Sequence, residues 1–145
     1  MNINEHVALG NAARIELSVN SEFGDKKFIA RYSNAKTVIK AYEQAKTEAK
    51  SEGYELAGQK HLDFVLNNPY SEASKALKGI RPTFLGGIPM CYFFGDDARK
   101  NGQVPVLYWK QDENAKIDSG KWILFYDSID VGTWIGPLHT YVIVK

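Results

Sequence analysis

Residues 84–145 constrain the fold more than any other part of this chain. Four runs rich in aromatic and β-branched residues, 85–94, 104–110, 121–126 and 138–144, are separated by short stretches of Gly, Asp, Asn and Lys, and all three tryptophans lie in this part. Such runs, each bounded by turn residues, predict an up-and-down antiparallel sheet.

Neither face of the second and third predicted strands is polar. In residues 104–109 two valines and a tyrosine alternate with Pro, Leu and Trp, and in residues 122–126 Trp, Leu and Tyr alternate with Ile and Phe. Because successive side chains point to opposite faces, both faces of this sheet must be covered. We therefore expect a strongly curved sheet or half-barrel, packed on its outside by helix from the first half of the chain.

The first half begins with two short alternating segments. Residues 12–19 alternate apolar with polar side chains, residues 20–25 are typical of a turn, and residues 27–32 form a second alternating run. This pattern predicts a β-hairpin.

A helical pattern follows the hairpin. Its apolar residues recur at spacings of three and four: Ala35, Val38, Ile39, Tyr42, Ala45 and Ala49. Lysines and glutamates, among them Glu48, occupy the remaining positions and are predicted to face solvent. Ser33 or Asn34 is predicted as the N-cap and Gly53 as a left-handed C-cap.

Two further elements precede the aromatic sheet. Residues 53–56 predict a turn into a short strand, and residues 61–66 form an apolar run compatible with either a strand or a helix. Asn68 and Pro69 then supply an N-cap and a first-turn proline for a short second helix, which continues through Leu77 to Ile80. The fold class predicted from these patterns is α+β, with a curved, mostly antiparallel sheet of five to seven strands packed against one long amphipathic helix and one short helix. Residues 1–145 are expected to form a single domain.

Composition and charge narrow the possible functions. The chain is 44% hydrophobic and 24% charged with a net charge of +1, which is typical of a soluble globular protein without global attraction to nucleic acid. Cys91 is the only cysteine, so neither an intramolecular disulfide nor a multi-cysteine zinc site is possible within the chain. Residues 1–10 lack the pattern of a secretory signal and no apolar run is long enough to span a membrane, so we expect a cytoplasmic protein without a membrane partner.

Cys91 and His139 suggest one enzymatic hypothesis, a cysteine-dependent hydrolase in which Asp127 or Asp130 orients the histidine. The nucleophile of such enzymes lies at a helix N-terminus, which lowers its pKa, whereas Cys91 lies in an apolar run predicted to be a strand. A structural role for Cys91 is therefore preferred, and the hydrolase is kept as the alternative function.

Metal and cofactor sites lack a matching motif. The acidic and histidine pairs are His61 with Asp63, Asp96 with Asp97, and Asp127 with Asp130. None has the spacing of a zinc or calcium site, and neither the P-loop nor the dinucleotide fingerprint is present. We expect no metal and no cofactor.

Single-stranded nucleic acid is the second alternative. The sheet carries aromatic residues that bases stack on in such proteins: Tyr92, Phe94, Tyr108, Trp109, Trp122 and Tyr126. Because aromatic residues on strands are usually core and these strands carry few basic residues, a core role is preferred and nucleic acid is not the expected partner.

The segment between the last two predicted strands is the predicted working surface. Residues 127–137 are longer than most hairpin connections and carry Ile129, Asp130, Trp134 and Ile135. This loop either folds back onto the end of the sheet or presents Trp134 and Ile135 to a partner. The preferred hypothesis is a small non-enzymatic binding protein that occupies a partner protein's surface, as inhibitors and immunity-type proteins do, or holds a small ligand. The oligomeric state is left open.

Overall fold

The computed structural model describes residues 14–18, 27–31, 33, 35–78, 90–112, 119–134 and 139–144. Within these ranges the fold is α+β with a mostly antiparallel sheet, as predicted. The strands are β1 (Arg14–Ser18), β2 (Lys27–Arg31), β3 (Glu55–Leu56), β4 (Met90–Tyr92), β5 (Gln103–Gln111), β6 (Gly120–Ser128) and β7 (His139–Val144). The helices are α1 (Val38–Glu52), α2 (Gln59–Asn67) and α3 (Glu72–Lys78).

The sheet is open, with the strand order β1-β2-β7-β4-β5-β6, and β3 pairs with β7 beside this path. The predicted hairpin is confirmed by the antiparallel pairing of β1 with β2, and the predicted short strand is confirmed as β3. Among the described strands, β1 and β6 are the two edges, so the sheet does not curl into the expected half-barrel.

The position of β7 differs from the predicted up-and-down order. β7 pairs antiparallel with β2 and β3 and parallel with β4, instead of following β6 as its neighbour. The connection from β6 to β7 therefore passes β5 and β4 before it enters the sheet. This crossover explains why residues 129–138 are too many for a hairpin loop.

Both faces of the sheet are covered, as expected from its two apolar faces. Alternate side chains of β4, β5 and β7 point to opposite faces and so belong to two separate cores. The α1-side core contains Val38, Ala41, Tyr42, Ala45, Tyr92, Phe94, Val104, Val106, Trp134, Tyr141 and Ile143, among others. The α2/α3-side core contains Leu62, Val65, Leu77, Cys91, Phe93, Leu107, Trp109, Trp122 and Val142, among others. The protein thus has three layers, with the sheet in the middle.

Helix α1 starts later than the predicted cap. Its N-cap is Thr37, whose side chain accepts a hydrogen bond from the backbone N–H of Lys40 at 3.3 Å. Ser33 instead accepts from the backbone N–H of Ala35 at 3.0 Å, and Asn34 lies outside the described residues. The predicted left-handed C-cap is confirmed, since Gly53 has φ of 75°.

The undecided run at residues 61–66 lies in helix α2. Two side chains accept hydrogen bonds from the backbone at the start of this helix. The N–H of Gly58 donates to Nδ1 of His61 at 3.0 Å, and the N–H of Gln59 donates to Oδ1 of Asp97 at 3.0 Å. These bonds satisfy two of the amides that a helix start leaves without an internal partner.

Helix α3 is capped by a different residue from the predicted one. The backbone N–H of Ser74 donates to Oγ of Ser71 at 3.2 Å, whereas Asn68 forms the C-cap of α2. The predicted end of this helix at Ile80 lies outside the described residues. Of the helices in the described ranges, none is long and apolar enough to cross a membrane.

Candidate functional site

A groove of about 660 Å³ lies where α1 passes over β2 and β7. Its lining comes from α1 (Lys40, Glu43, Gln44, Thr47, Glu48, Ser51 and Glu52), from β2 and the residues after it (Arg31 and Ser33), and from β7 (Tyr141). The helical residues recur at spacings of three and four, which places them along one side of α1. This side borders the apolar stripe that packs on the sheet.

The floor of the groove is a buried carboxylate held from two strands. Glu48 is 8% exposed, its Oε1 lies 2.7 Å from a terminal guanidinium nitrogen of Arg31, and its Oε2 accepts a hydrogen bond from the hydroxyl of Tyr141. The contact with Arg31 is an ion pair, and the hydrogen bond from Tyr141 is charge-assisted, which makes it stronger than one between neutral groups. They connect α1 to β2 and β7 at the same point.

The electrostatics of the floor keep Tyr141 protonated. Burial raises the pKa of Tyr141 well above its usual value, and the hydrogen bond to Glu48 and the negative charge of that residue raise the pKa further. The positive charge of Arg31 acts in the opposite direction. Tyr141 is therefore a fixed hydrogen-bond donor at neutral pH.

Hydroxyl and amide groups line the walls above this floor. The hydroxyl of Ser33 donates to Oε1 of Gln44, which connects the start of the β2–α1 segment to the middle of the helix. The hydroxyls of Thr47 and Ser51 each donate to a backbone carbonyl of the preceding helical turn. Because a hydroxyl has one donor and two acceptor sites, both retain the capacity to accept from a ligand.

Charges of both signs stand at the mouth. Lys40 and Glu43 are exposed on α1, and Glu52 is half-buried at its C-terminal end. Apart from the ring of Tyr141, every lining side chain named for this groove is polar or charged. The arrangement is suited to a small molecule held by directional hydrogen bonds and short-range charge contacts.

Sequence patterns did not identify the three floor residues. The helical pattern predicts Glu48 on the solvent-exposed side of α1, and no motif points to Arg31 or Tyr141. The available signal is the position of Glu48, which follows Ala45 by three residues and Ala41 by seven, both of which are 0% exposed. An acidic residue at such a position lies at the border of the buried stripe.

Two of the residues of the hydrolase hypothesis, Cys91 and Asp127, have other surroundings in the fold. Cys91 is 1% exposed in the α2/α3-side core, where burial raises the pKa of its thiol to about 11 against a smaller opposing effect of a hydrogen bond with Thr140. Asp127 accepts a hydrogen bond at 2.8 Å from the hydroxyl of Tyr92, a residue of the opposite core. His139 is the first residue of β7, in register with Met90.

The predicted working loop packs onto the α1-side core. Trp134 is 3% exposed, its ring centre lies 5.0 Å from that of Tyr92, and its indole N–H donates to the backbone carbonyl of Ser33 at 3.3 Å. Ile129 is 8% exposed, Asp130 is exposed, and Ile135 lies outside the described residues. The described part of the loop therefore packs on the core through Ile129 and Trp134, and the binding role predicted for the loop residues stays a prediction.

The acidic pairs considered as metal ligands have other contacts. Asp97 binds the first turn of α2, Asp96 forms an ion pair with Arg99, and Asp63 accepts from the side chain of Gln59 at 2.8 Å. Throughout the described residues, no group of three or more His, Cys, Asp or Glu side chains is arranged to hold a metal ion.

The aromatic residues considered as stacking platforms are mostly core. Four are buried (Tyr92, Phe94, Trp109 and Trp122), Tyr108 is half-buried, and Tyr126 is 41% exposed. Bases stack on exposed ring faces, so this sheet offers little surface to single-stranded nucleic acid.

Comparison of the chain with protein-family models, with curated protein sequences and with solved structures gave no match in any of the three.

Proposed function

We propose that this chain is a non-enzymatic binding protein that holds a small polar ligand in the groove between α1 and the strands β2 and β7. The observation that carries the proposal is the buried Glu48, fixed by Arg31 and Tyr141 at the floor of an open groove of about 660 Å³. That volume lies within the roughly 300 to 1,000 Å³ that small-molecule sites occupy.

A buried carboxylate is a costly way to attach a helix to a sheet. Removing both charges from water carries a desolvation penalty, and well-packed apolar residues of similar volume often stabilise a protein as much or more. The neighbouring turns of α1 use Ala41 and Ala45 for that purpose, both 0% exposed. The charged floor therefore supports a role beyond attachment, namely holding the partly exposed guanidinium of Arg31 in place for a ligand.

The lining favours a neutral polyhydroxylated molecule or a zwitterion. Two basic residues, Arg31 and Lys40, stand against three acidic ones, Glu43, Glu48 and Glu52. A lining with this small excess of negative charge disfavours polyanions such as nucleotides, because they would meet uncompensated carboxylates. A zwitterion or a polyol matches the mixed charges and the hydroxyl groups.

Occupation of a partner protein's surface has less support. The expected anchor of such an interface is Trp134, which is 3% exposed in the α1-side core. A residue buried to that extent has little surface to offer a partner.

The test is a thermal-shift screen of the purified chain against a library of small polyols, amino acids, amines and carboxylates, followed by calorimetric titration of the compounds that raise the melting temperature. Thr47→Trp fills the groove from an exposed position on its wall, and Lys50→Trp introduces the same ring at an exposed position of α1 outside the lining. We expect to find compounds that bind the wild-type protein and Lys50→Trp with equal affinity. Their affinity for Thr47→Trp should be at least tenfold lower, a loss of about 1.4 kcal/mol in binding free energy. Equal affinity for all three proteins would contradict the assignment of the groove.

A further inference from the structure

Strand β6 is an edge of the sheet in the part of the chain that the structure describes. It is nine residues long and lies at the end of the strand order, and residues 123–125 at its centre are half-buried, while the matching residues of β5 beside it are largely buried. Residues 122–126 contain no charge, glycine or proline. Natural sheets usually protect an exposed edge with charged residues or proline, because the free backbone groups of an edge are a template for another strand.

The hydrogen bonds at the two ends of β6 determine which backbone groups face outward. The backbone N–H of Ile129 donates to the carbonyl of Gly102 at 2.9 Å, and that of Asp112 donates to the carbonyl of Ser119 at 2.9 Å. Because antiparallel partners exchange hydrogen bonds at every second residue, the odd-numbered residues of β6 bond to β5. The N–H and C=O groups of Trp122, Leu124 and Tyr126 therefore lie at the free edge, beyond which the described residues place no further strand.

We propose that β6 is a homodimer interface, in which it pairs antiparallel with β6 of a second copy of this chain about a twofold axis at Leu124. In this register Leu124 faces its own counterpart, and Trp122 faces the partner's Tyr126, each pair exchanging two backbone hydrogen bonds. Between these pairs, Ile123 lies opposite the partner's Phe125. The sheet then continues from one copy into the other.

The charges flanking the apolar centre select this register. In a twofold-symmetric antiparallel pair, a residue i that faces residue j of the partner implies that residue j faces residue i of the partner. Because the outward-facing backbone groups belong to the even-numbered residues, facing residues are both even or both odd, and the axis passes through a single residue. A centre at Ile123 places Lys121 opposite the partner's Phe125, and a centre at Phe125 places it opposite the partner's Ile129. The centre at Leu124 alone among these places Lys121 opposite the partner's Asp127, on both sides of the axis. Opposite charges that face each other stabilise a strand pair, whereas like charges destabilise it.

The occupant is a second copy because the edge is complementary to itself. Its apolar residues meet apolar or aromatic residues, its one basic residue meets an acidic one, and its free backbone groups match in spacing. This inference does not depend on the ligand groove, which is built on β2 and β7 rather than on β6.

The first test is the mass of the full-length chain in solution, measured by light scattering and sedimentation velocity over a range of concentrations. Proline lacks a backbone N–H, and the N–H of Tyr126 faces outward, so Tyr126→Pro removes an intermolecular donor and leaves the bonds to β5 intact. Tyr126→Thr is the matched control, which shortens the same side chain and keeps the N–H. We expect wild type and Tyr126→Thr to be dimers and Tyr126→Pro to be a monomer with an unchanged far-UV circular dichroism spectrum. A wild-type monomer at every concentration overturns the proposal, and so does a folded Tyr126→Pro dimer of unchanged dissociation constant.

The second test addresses the register. Lys121→Glu places two acidic residues opposite each other at both ends of the interface, whereas Lys110→Glu makes the same charge change on the exposed neighbouring position of β5. We expect the dimer dissociation constant to rise about tenfold for Lys121→Glu, with a smaller rise at high salt, and to stay within about twofold for Lys110→Glu. Equal effects of the two substitutions would contradict the register centred on Leu124.

Discussion

Trp134→Ala tests whether the loop after β6 stabilises the fold. The Trp134 ring is 3% exposed among Tyr92, Phe94 and Tyr141, with centroid distances of 5.0, 6.4 and 6.5 Å. Its indole N–H also donates to the carbonyl of Ser33 at 3.3 Å. Truncation removes the packing and the hydrogen bond together.

The expected loss in the free energy of unfolding is about 3 to 5 kcal/mol, the usual range for removal of a buried tryptophan side chain. For a domain of this size, that corresponds to a fall in melting temperature of roughly 10 to 15 °C. Trp134→Phe keeps most of the ring contacts but leaves the Ser33 carbonyl without its donor, so we expect a smaller loss of about 1 to 3 kcal/mol. Urea unfolding followed by circular dichroism measures both.

Val131→Ala is the control in the same loop, since Val131 is 82% exposed, and we expect no measurable change in stability. A melting temperature for Trp134→Ala within about 2 °C of wild type would refute the packing role of this residue. A partner whose affinity falls by more than about 2 kcal/mol in the same variant would restore Trp134 as a binding residue.

Three further substitutions test other contacts of the fold. Gly95→Ala places a Cβ 2.4 Å from Cα of Gly58, so we expect the free energy of unfolding, measured with urea, to fall by about 1 to 3 kcal/mol. A stability equal to that of wild type would contradict the close approach. Arg31→Met removes the guanidinium that Oε1 of the buried Glu48 contacts. It should lower the free energy of unfolding by roughly 1 to 3 kcal/mol, less than for a fully buried pair because a third of the Arg31 side chain is exposed. Burial raises the pKa of the Cys91 thiol from 9.0, its value in the unfolded chain, to about 11 in the folded one. As the pH rises between these two values, the free energy of unfolding should therefore fall more steeply for the wild-type protein than for Cys91→Ala. The expected difference in slope is about 1.4 kcal/mol per pH unit. Parallel pH profiles of the two proteins would contradict the burial of this thiol.

The elements of this fold were largely predictable because their signals are local. The apolar residues on both faces of 104–109 required cover on both sides of the sheet, and α1 with α2 and α3 provides it. The caps were less predictable, because Ser33, Thr37 and Ser71 all belong to residue types that cap helices, and only the path of the chain decides among them.

The strand order was not predictable from these signals. The run 138–144 has the same composition whether the strand lies at an edge or in the centre, and its position depends on pairing with β2 and β4, which are distant in the sequence. One local feature does favour the observed place: residues 141–144 are continuously apolar, as is typical of a strand buried on both faces.

The candidate site was the least predictable part. Its floor joins Glu48 to Tyr141, which are 93 residues apart, and to Arg31 on a third element. Helical periodicity predicts the centre of the buried stripe on α1 but not the residue at which the stripe ends. The prediction that Glu48 faces solvent is therefore wrong. Residue types that form a groove only through tertiary contacts leave no motif in the sequence.

Amide chemical-shift mapping tests the central claim most directly. The ¹⁵N-labelled protein is titrated with the compound that gives the largest thermal shift, and every assigned amide is followed. If the groove is the binding site, the largest shifts fall on residues of its floor and walls, such as Arg31, Gln44, Glu48 and Tyr141, while amides of the α2/α3-side core such as Val65 stay unchanged. Shifts centred on that core or on the loop of Trp134, with the groove amides unmoved, would contradict the proposed function.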